Sequence, residues 1–135
     1  NICRSPMAEF IMKDKVNNLG LDDYFLIESR GTSSEEEGND IYLPAKRMLD
    51  SRGISYTKHC ARKLEEADID KFDYFICMEK ANLRGVSYIF DDLDKVFMLL
   101  DKDITDPWYS GDFSKTYNDL DLGIDLLIER LRKQI

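Results

Sequence analysis

The first nine residues, NICRSPMAE, place an arginine at the start of a predicted helix. Ser5 is a favoured N-cap residue, and Pro6 fits the first helical position, where its missing N–H costs nothing. Arg4 precedes this cap, and a planar guanidinium can bind two oxygens of a phosphate group. Backbone N–H groups at a helix N-terminus also attract anions. The segment is therefore compatible with an anion site, but taken alone it favours a surface arginine beside a capped helix.

A second segment that could do chemistry is Asp106-Pro107-Trp108-Tyr109, in a polar loop that we expect over 101–112. Hydrolysis of a phosphate monoester requires a proton on the leaving oxygen, and a carboxyl group reaching over from another loop can supply it. By itself, Asp-Pro is typical of a turn. A chemical role for Asp106 therefore requires a fold that brings this loop to Arg4.

The apolar pattern predicts alternating helices and strands. Strands are expected at Tyr24–Ile27, Phe72–Met78 and Lys95–Leu100, and helices at Ser5–Leu19, Leu43–Arg52, Glu79–Tyr88 and from Phe113 to the end. This order is typical of an α/β fold with a doubly wound parallel sheet and helices on both faces. Such domains normally open with a strand, whereas this sequence opens with a helix. Ligands of these folds bind beside helix N-termini, which directs attention to Arg4.

Composition limits the class of protein. The 135 residues suit one domain, spanning 1–135, and the net charge of −8 disfavours a nucleic-acid partner. No apolar run approaches the roughly 20 residues that cross a bilayer, so no membrane partner is expected. The three cysteines are too widely spaced for a disulfide framework or a Cys-x-x-Cys metal site. We therefore expect a cytoplasmic protein without a metal.

NICRSPMAE resembles the phosphate-binding loop of the low-molecular-weight protein tyrosine phosphatases, and Asp106–Tyr109 resembles the loop that carries their general acid. Similar matches run in order through the chain, at 28–33, 53–54, 59–62, 72–78 and 82–84. The resemblance implies a four-stranded parallel sheet whose first, central strand precedes Asn1. It also implies a nucleophilic cysteine three positions before Asn1. The implied activity is hydrolysis of phosphotyrosine proteins or small aryl phosphates through a phosphocysteine, with no cofactor.

The resemblance also implies residue roles. Arg4 would bind the transferred phosphate, Asp106 would act as general acid, and Ser5 would donate a hydrogen bond to the thiolate. Trp108 and Tyr109 would form pocket walls. The remaining positions implied in phosphate binding are Asn1, Ile2 and Cys3, and Cys3 matches a redox partner of the nucleophile. A supporting network would join Asn1, Ser29 and His59.

Two positions depart from the family pattern. Glu35, within an acidic run of three, stands where the family often has an aromatic wall residue. This acid would disfavour acidic substrates, or it belongs to a solvated loop. Glu79 stands where the family usually has the aspartate that orients the phosphate-binding arginine. One extra methylene group would then shift Arg4 and weaken activity.

Three alternatives stay open beside the tyrosine phosphatase. Arsenate reductases share the fold but need further close cysteines, whereas Cys60 and Cys77 are well separated. Protein arginine phosphatases typically have threonine at the position of Ile2, and isoleucine favours a flat tyrosine ring. A phosphate-binding pseudoenzyme is expected if the protein truly begins at Asn1. A monomer or weak homodimer is expected.

Overall fold

The computed structural model describes residues 3–33 and 37–134. Over these residues the chain forms six α-helices, one 3₁₀ turn at Asp22–Tyr24 and two β-strands. In chain order they are α1 (Arg4–Asn18), α2 (Leu43–Ser51), α3 (Asp68–Lys71), β1 (Phe75–Cys77), α4 (Lys80–Ser87), β2 (Val96–Met98), α5 (Pro107–Ser110) and α6 (Phe113–Arg132). From Leu43 onward the predicted alternation of helix and strand is found, with α3 and α5 as additional short helices, and both strands are shorter than predicted.

The two strands form a parallel pair connected through α4. Phe75 pairs with Val96, and Cys77 pairs with Met98. These four side chains pack on the same side, against a cluster that includes Val86 of α4. A parallel pair needs a crossover connection, and α4 provides it, as expected of a βαβ unit.

Two apolar clusters form the core of the described residues. The larger cluster joins α1, α2 and α6 and includes Met7, Ile11, Leu49, Leu120 and Ile124. The smaller cluster joins α4 to β1 and β2. Helices packed around parallel strands that are joined by a crossover helix are typical of the α/β class. The predicted α/β fold is therefore confirmed.

The predicted buried strand at Tyr24–Ile27 is wrong. Tyr24 ends the 3₁₀ turn, and the chain becomes extended at Phe25 without forming a ladder with another described strand. Tyr24 and Leu26 are each 65% exposed. The segment makes one parallel bridge further on, between Gly31 and Lys63. A run of apolar residues becomes a strand only where a neighbouring edge supplies hydrogen bonds, and no described strand lies beside this run.

The predicted N-cap of the first helix is also wrong. The helix begins at Arg4, and Cys3 is its cap residue, whose side chain makes no capping hydrogen bond. The N–H of Met7 donates to the Cys3 carbonyl at 3.0 Å. Pro6 fits this register because the first-turn N–H groups have no partner within a helix, so proline costs little there. The shift places both Arg4 and Ser5 inside the first turn.

A cleft of about 730 Å³ separates the extended segment from β1. Its apolar part is lined by Phe25, Ile27 and Ile76, and by Ile124 and Leu127 of α6. The same cleft reaches the N-terminus of α1 and the loop before α6. The fold thus opens a single depression at the helix N-terminus that the sequence identified.

Candidate active site

Arg4 is the central charge of the site and is only 3% exposed. Its Nη1 donates to the Ile104 carbonyl at 2.8 Å, and its Nη2 donates to Oε1 of Glu79 at 3.1 Å. The Nε–H is buried and has no acceptor among residues 3–33 and 37–134. The fork of Arg4 is therefore held by two of its five N–H donors, and the Nε–H is among the donors that remain for an anion.

Glu79 reaches Arg4 in spite of its extra methylene group. It is the N-cap of α4 and forms a capping box with Asn82. The capping bonds fix the backbone of Glu79, and its side chain is long enough to make the contact with Arg4. The extra methylene group therefore does not prevent a direct ion pair between Glu79 and Arg4.

Asp106 lies beside Arg4, with 3.6 Å between its Oδ2 and Nη2 of the arginine. It is the N-cap of α5, the single helical turn that interrupts the predicted polar loop, and its Oδ1 accepts from the N–H of Trp108 at 3.0 Å. Pro107 at the first helical position and left-handed Gly111 after the turn set its two ends. One carboxylate oxygen therefore caps the turn while the other faces the arginine.

Ser5, Trp108 and Tyr109 border the cleft together with Asp106. Trp108 is 51% exposed and Tyr109 is 85% exposed, so both rings have free surface at the mouth of the cleft. Ser5 is half-buried in the first turn of α1. The structure thus brings together a buried cation, a carboxylate, a hydroxyl and two aromatic rings.

Ser29 and His59 meet behind this site around Glu9, which the sequence analysis quoted but did not assign. The Ser29 hydroxyl donates to Oε1 of Glu9 at 2.7 Å and lies 3.5 Å from Nε2 of His59. Nδ1 of His59 is 3.8 Å from the same Glu9 oxygen. Burial lowers the pKa of His59, and the charges of Glu9 and Asp40 partly offset it. Glu9 lies four residues after Ser5, on the same face of the predicted helix. This spacing was the sequence signal that could have identified Glu9 as a residue near the site.

Asp40 is a second supporting residue that the sequence analysis missed. Its Oδ2 accepts from Nζ of Lys46 at 2.6 Å, and its Oδ1 accepts from the backbone N–H groups of Ile41 and His59 at 2.8 and 2.9 Å. The bond from Lys46, followed by that from the His59 N–H, lowers the pKa of Asp40 to about 2. Asp40 therefore ties the start of α2 to the segment that carries His59.

Replacing Asp40 by asparagine should lower the melting temperature by about 3 °C at pH 6. The folded-state pKa of Asp40 lies below its ordinary value of 3.8, so its stabilising contribution is full above about pH 4 and is lost as the pH falls toward 2. The difference between wild type and variant should therefore shrink below pH 3. Thermal unfolding followed by circular dichroism at pH 6, 4 and 2.5 measures it. A difference that stays constant with pH would contradict the assignment.

Several predicted positions lie outside the described residues, namely Asn1, Ile2 and Glu35. Cys3 is described and is 1% exposed at the start of α1. Cys77 lies in β1, and burial raises the pKa of its thiol to about 11. A thiol with such a pKa is a poor nucleophile at neutral pH, which sets Cys77 apart from a reactive cysteine.

Within 3–33 and 37–134, no group of three or more His, Cys, Asp or Glu side chains is placed to hold a metal ion. In the same part of the chain, no helix has the length and apolarity needed to cross a bilayer.

A doubly wound α/β domain with a buried arginine and a carboxylate at the N-terminus of its first helix defines a protein that binds phosphate groups. The family model "Low molecular weight phosphotyrosine protein phosphatase" matches residues 1–135. The chain belongs to this family.

Individual relatives agree with this membership. Low molecular weight protein-tyrosine-phosphatase YfkJ of Bacillus subtilis is 32% identical over 143 residues, which cover 99% of this chain and 92% of that protein. The low molecular weight phosphotyrosine protein phosphatase of Schizosaccharomyces pombe is 36% identical over 121 residues, covering 82% of this chain and 77% of that protein. The crystal structure of YfkJ from Bacillus subtilis has a TM-score of 0.95 and 31% identity, covering 99% of this chain and 90% of that one.

Proposed function

We propose that this protein is a phosphatase that hydrolyses phosphotyrosine and other aryl phosphate monoesters through a phosphocysteine intermediate. One observation carries the proposal: the buried guanidinium of Arg4 lies 3.6 Å from the carboxylate of Asp106, although the two residues are at opposite ends of the sequence. An anion binder and a proton donor side by side are what cleavage of a phosphate ester needs. The names of the relatives agree with this activity.

In the first step a cysteine thiolate attacks phosphorus, the S–P bond forms and the bond to the phenolic oxygen breaks. We assign the thiolate to a cysteine three positions before Asn1. Its position before a helix N-terminus, where backbone N–H groups converge, lowers a thiol pKa. Arg4 and the loop N–H groups stabilise the charge on the three equatorial oxygens. Asp106, in its protonated form, gives its proton to the leaving phenolate.

In the second step Asp106, now a carboxylate, takes a proton from water. That water attacks phosphorus, the S–P bond breaks and phosphate leaves. The hydroxyl of Ser5 donates a hydrogen bond to the departing thiolate, which lowers its basicity. Neither step calls on a metal ion or cofactor, since Arg4 supplies the positive charge and Asp106 moves the proton.

Substrate choice follows from the mouth of the cleft. The half-exposed ring of Trp108 and the exposed ring of Tyr109 present flat apolar surface to an aromatic leaving group. The sequence has isoleucine at position 2, where protein arginine phosphatases typically have threonine, and isoleucine favours a planar phenol ring over a guanidino group. We propose phosphotyrosine in a protein, or a small aryl phosphate, as the substrate. We further propose a cytoplasmic protein that is a monomer or weak homodimer.

Hydrolysis of para-nitrophenyl phosphate by the full-length protein at mildly acidic pH, with EDTA present, tests the proposal. We expect turnover that persists in EDTA and is inhibited by vanadate, which mimics the trigonal-bipyramidal transition state. Comparison of phosphotyrosine and phosphoarginine peptides then separates the two protein substrates. Absence of turnover, with phosphate still raising the melting temperature, would contradict the phosphatase and support a phosphate-binding protein without catalysis.

A further inference from the structure

Tyr42 contacts the loop that carries Asp106, although it lies outside the cleft. Its ring centroid is 4.7 Å from that of Trp108, with an interplanar angle of 55°, and 6.3 Å from that of Phe113. Trp108 belongs to α5, and Phe113 is the first residue of α6. One tyrosine ring therefore touches the acid-bearing turn and the helix that follows it.

The contact with Trp108 bears directly on Asp106. The Asp106 side chain accepts from the N–H of Trp108, and its backbone carbonyl accepts from the N–H groups of Tyr109 and Ser110, both at 3.2 Å. These bonds make residues 106–110 one turn. A helix of four residues does not hold its shape alone, so packing must fix it in place. A shift of the Trp108 ring would consequently shift the Asp106 carboxylate.

Tyr42 is held in place by the start of α2. Its backbone carbonyl accepts from the N–H groups of Ala45 and Lys46, at 2.9 and 3.1 Å, at the start of α2. Ile41 and Ala45, on either side, are both buried in the larger apolar cluster. Trp108, by contrast, is half exposed, and its free surface borders the cleft. The ring of Tyr42 thus joins a rigid element to the exposed side of this turn, whose other side is anchored by the buried Pro107.

We propose that Tyr42 is a positioning residue for the general acid and acts by holding Trp108, and with it Asp106, at its 3.6 Å distance from Arg4. The inference rests on the proposed phosphatase function and adds a residue to it. Tyr42 touches neither the cleft-lining carboxylate nor the arginine. Its effect should therefore fall on proton transfer and on the aryl wall at Trp108, and it should leave phosphate binding intact.

Leaving groups of different basicity test this role. Phenyl phosphate releases a basic phenolate that depends on the proton from Asp106, whereas nitrophenolate is a better leaving group and depends on it less. We expect Tyr42→Ala to lower kcat/KM for phenyl phosphate by about 10-fold and for para-nitrophenyl phosphate by less than about 3-fold. The inhibition constant of inorganic phosphate should stay within about 2-fold, because Arg4 is unchanged.

Three further variants control the experiment. Tyr42→Phe keeps the ring and should retain the wild-type ratio of the two substrates. Tyr42→Leu replaces Tyr42→Ala if the alanine variant does not fold. Phe97→Ala removes another aromatic ring, in β2 and outside the residues that line the cleft, and should leave both kcat/KM values unchanged. Because Trp108 is the only tryptophan, its emission should shift to the red in Tyr42→Ala and not in Phe97→Ala.

Equal losses on both substrates in Tyr42→Ala, or no loss on either, would overturn the inference. A loss in Tyr42→Phe as large as in Tyr42→Ala would also overturn it, since the hydroxyl and not the ring would then act. These outcomes require an active wild-type protein. Absence of turnover on both substrates in the wild-type protein would contradict the proposed function, and it would contradict this inference as well.

Discussion

Replacement of Arg4 by alanine should lower kcat/KM for para-nitrophenyl phosphate by at least about 10³-fold. Arg4 is buried, and its guanidinium is held by the Ile104 carbonyl and by Glu79 in a position fixed before substrate arrives. An arginine fixed in this way stabilises developing charge without reorganisation, so its loss raises the barrier rather than weakening binding alone. Initial rates at low substrate concentration measure the effect directly.

Arg4→Lys is the matched control, because it keeps the charge beside Glu79 and Asp106. Lysine cannot bind two oxygens in the plane of a fork, so we expect most of the loss to remain. Thermal unfolding with and without phosphate separates catalysis from folding: Arg4→Lys should melt near the wild type but gain less from added phosphate. Activity within about 10-fold of wild type in Arg4→Lys would show that charge alone suffices and would contradict the bidentate role.

Replacement of Asp106 by asparagine should lower kcat on an aryl phosphate by about 10²–10⁴-fold. Asparagine cannot give a proton to the leaving phenolate or take one from water. It is also a good N-cap residue, so the single turn that begins at Asp106 should persist. The expected loss is therefore one of proton transfer. Steady-state kinetics with phenyl phosphate give its size, and an unchanged rate would remove Asp106 from this role.

Asp112→Asn provides a matched control for Asp106→Asn. Asp112 is the N-cap of α6, in the same loop, and its side chain accepts from the N–H of Lys115 at 3.0 Å. The substitution is thus the same change at the same kind of position, away from Arg4. We expect Asp112→Asn to leave kcat within about 2-fold of wild type. A comparable loss in both variants would indicate that the loop is disturbed and that proton transfer is not the cause.

Local sequence patterns predicted several helices of this protein and its fold class. The periodic apolar residues of α6 predicted a helix that the structure has at Phe113–Arg132. The helix predicted at Leu43–Arg52 is found at Leu43–Ser51, with the left-handed Gly53 after it. Both are local effects: a repeating apolar face needs burial, and glycine adopts the left-handed backbone after a helix. The order of strands and helices likewise predicted the α/β class, because parallel strands require crossovers.

The family resemblance predicted which residues would form the site. It did not give the distances between their side chains. Taken separately, Arg4 and Asp106 each have an ordinary structural explanation. Arg4 could be a surface arginine beside a helix start, and Asp106 could be part of a turn. Their separation of 3.6 Å arises because α1 and α6 pack together and place the loop before α6 over the start of α1. Contacts of this kind depend on how helices pack, which local patterns do not encode.

Sequence alone therefore determined the elements that local forces stabilise and the motifs that name the family. Tertiary structure decided the start of α1 at Arg4, the exposure of Tyr24, and the support that Glu9 and Tyr42 give from behind the site. The physical reason is the same in each case. A strand needs a partner edge, a helix start depends on which first-turn register packs, and a buried carboxylate or a stacked ring has its role only once a distant segment lies against it.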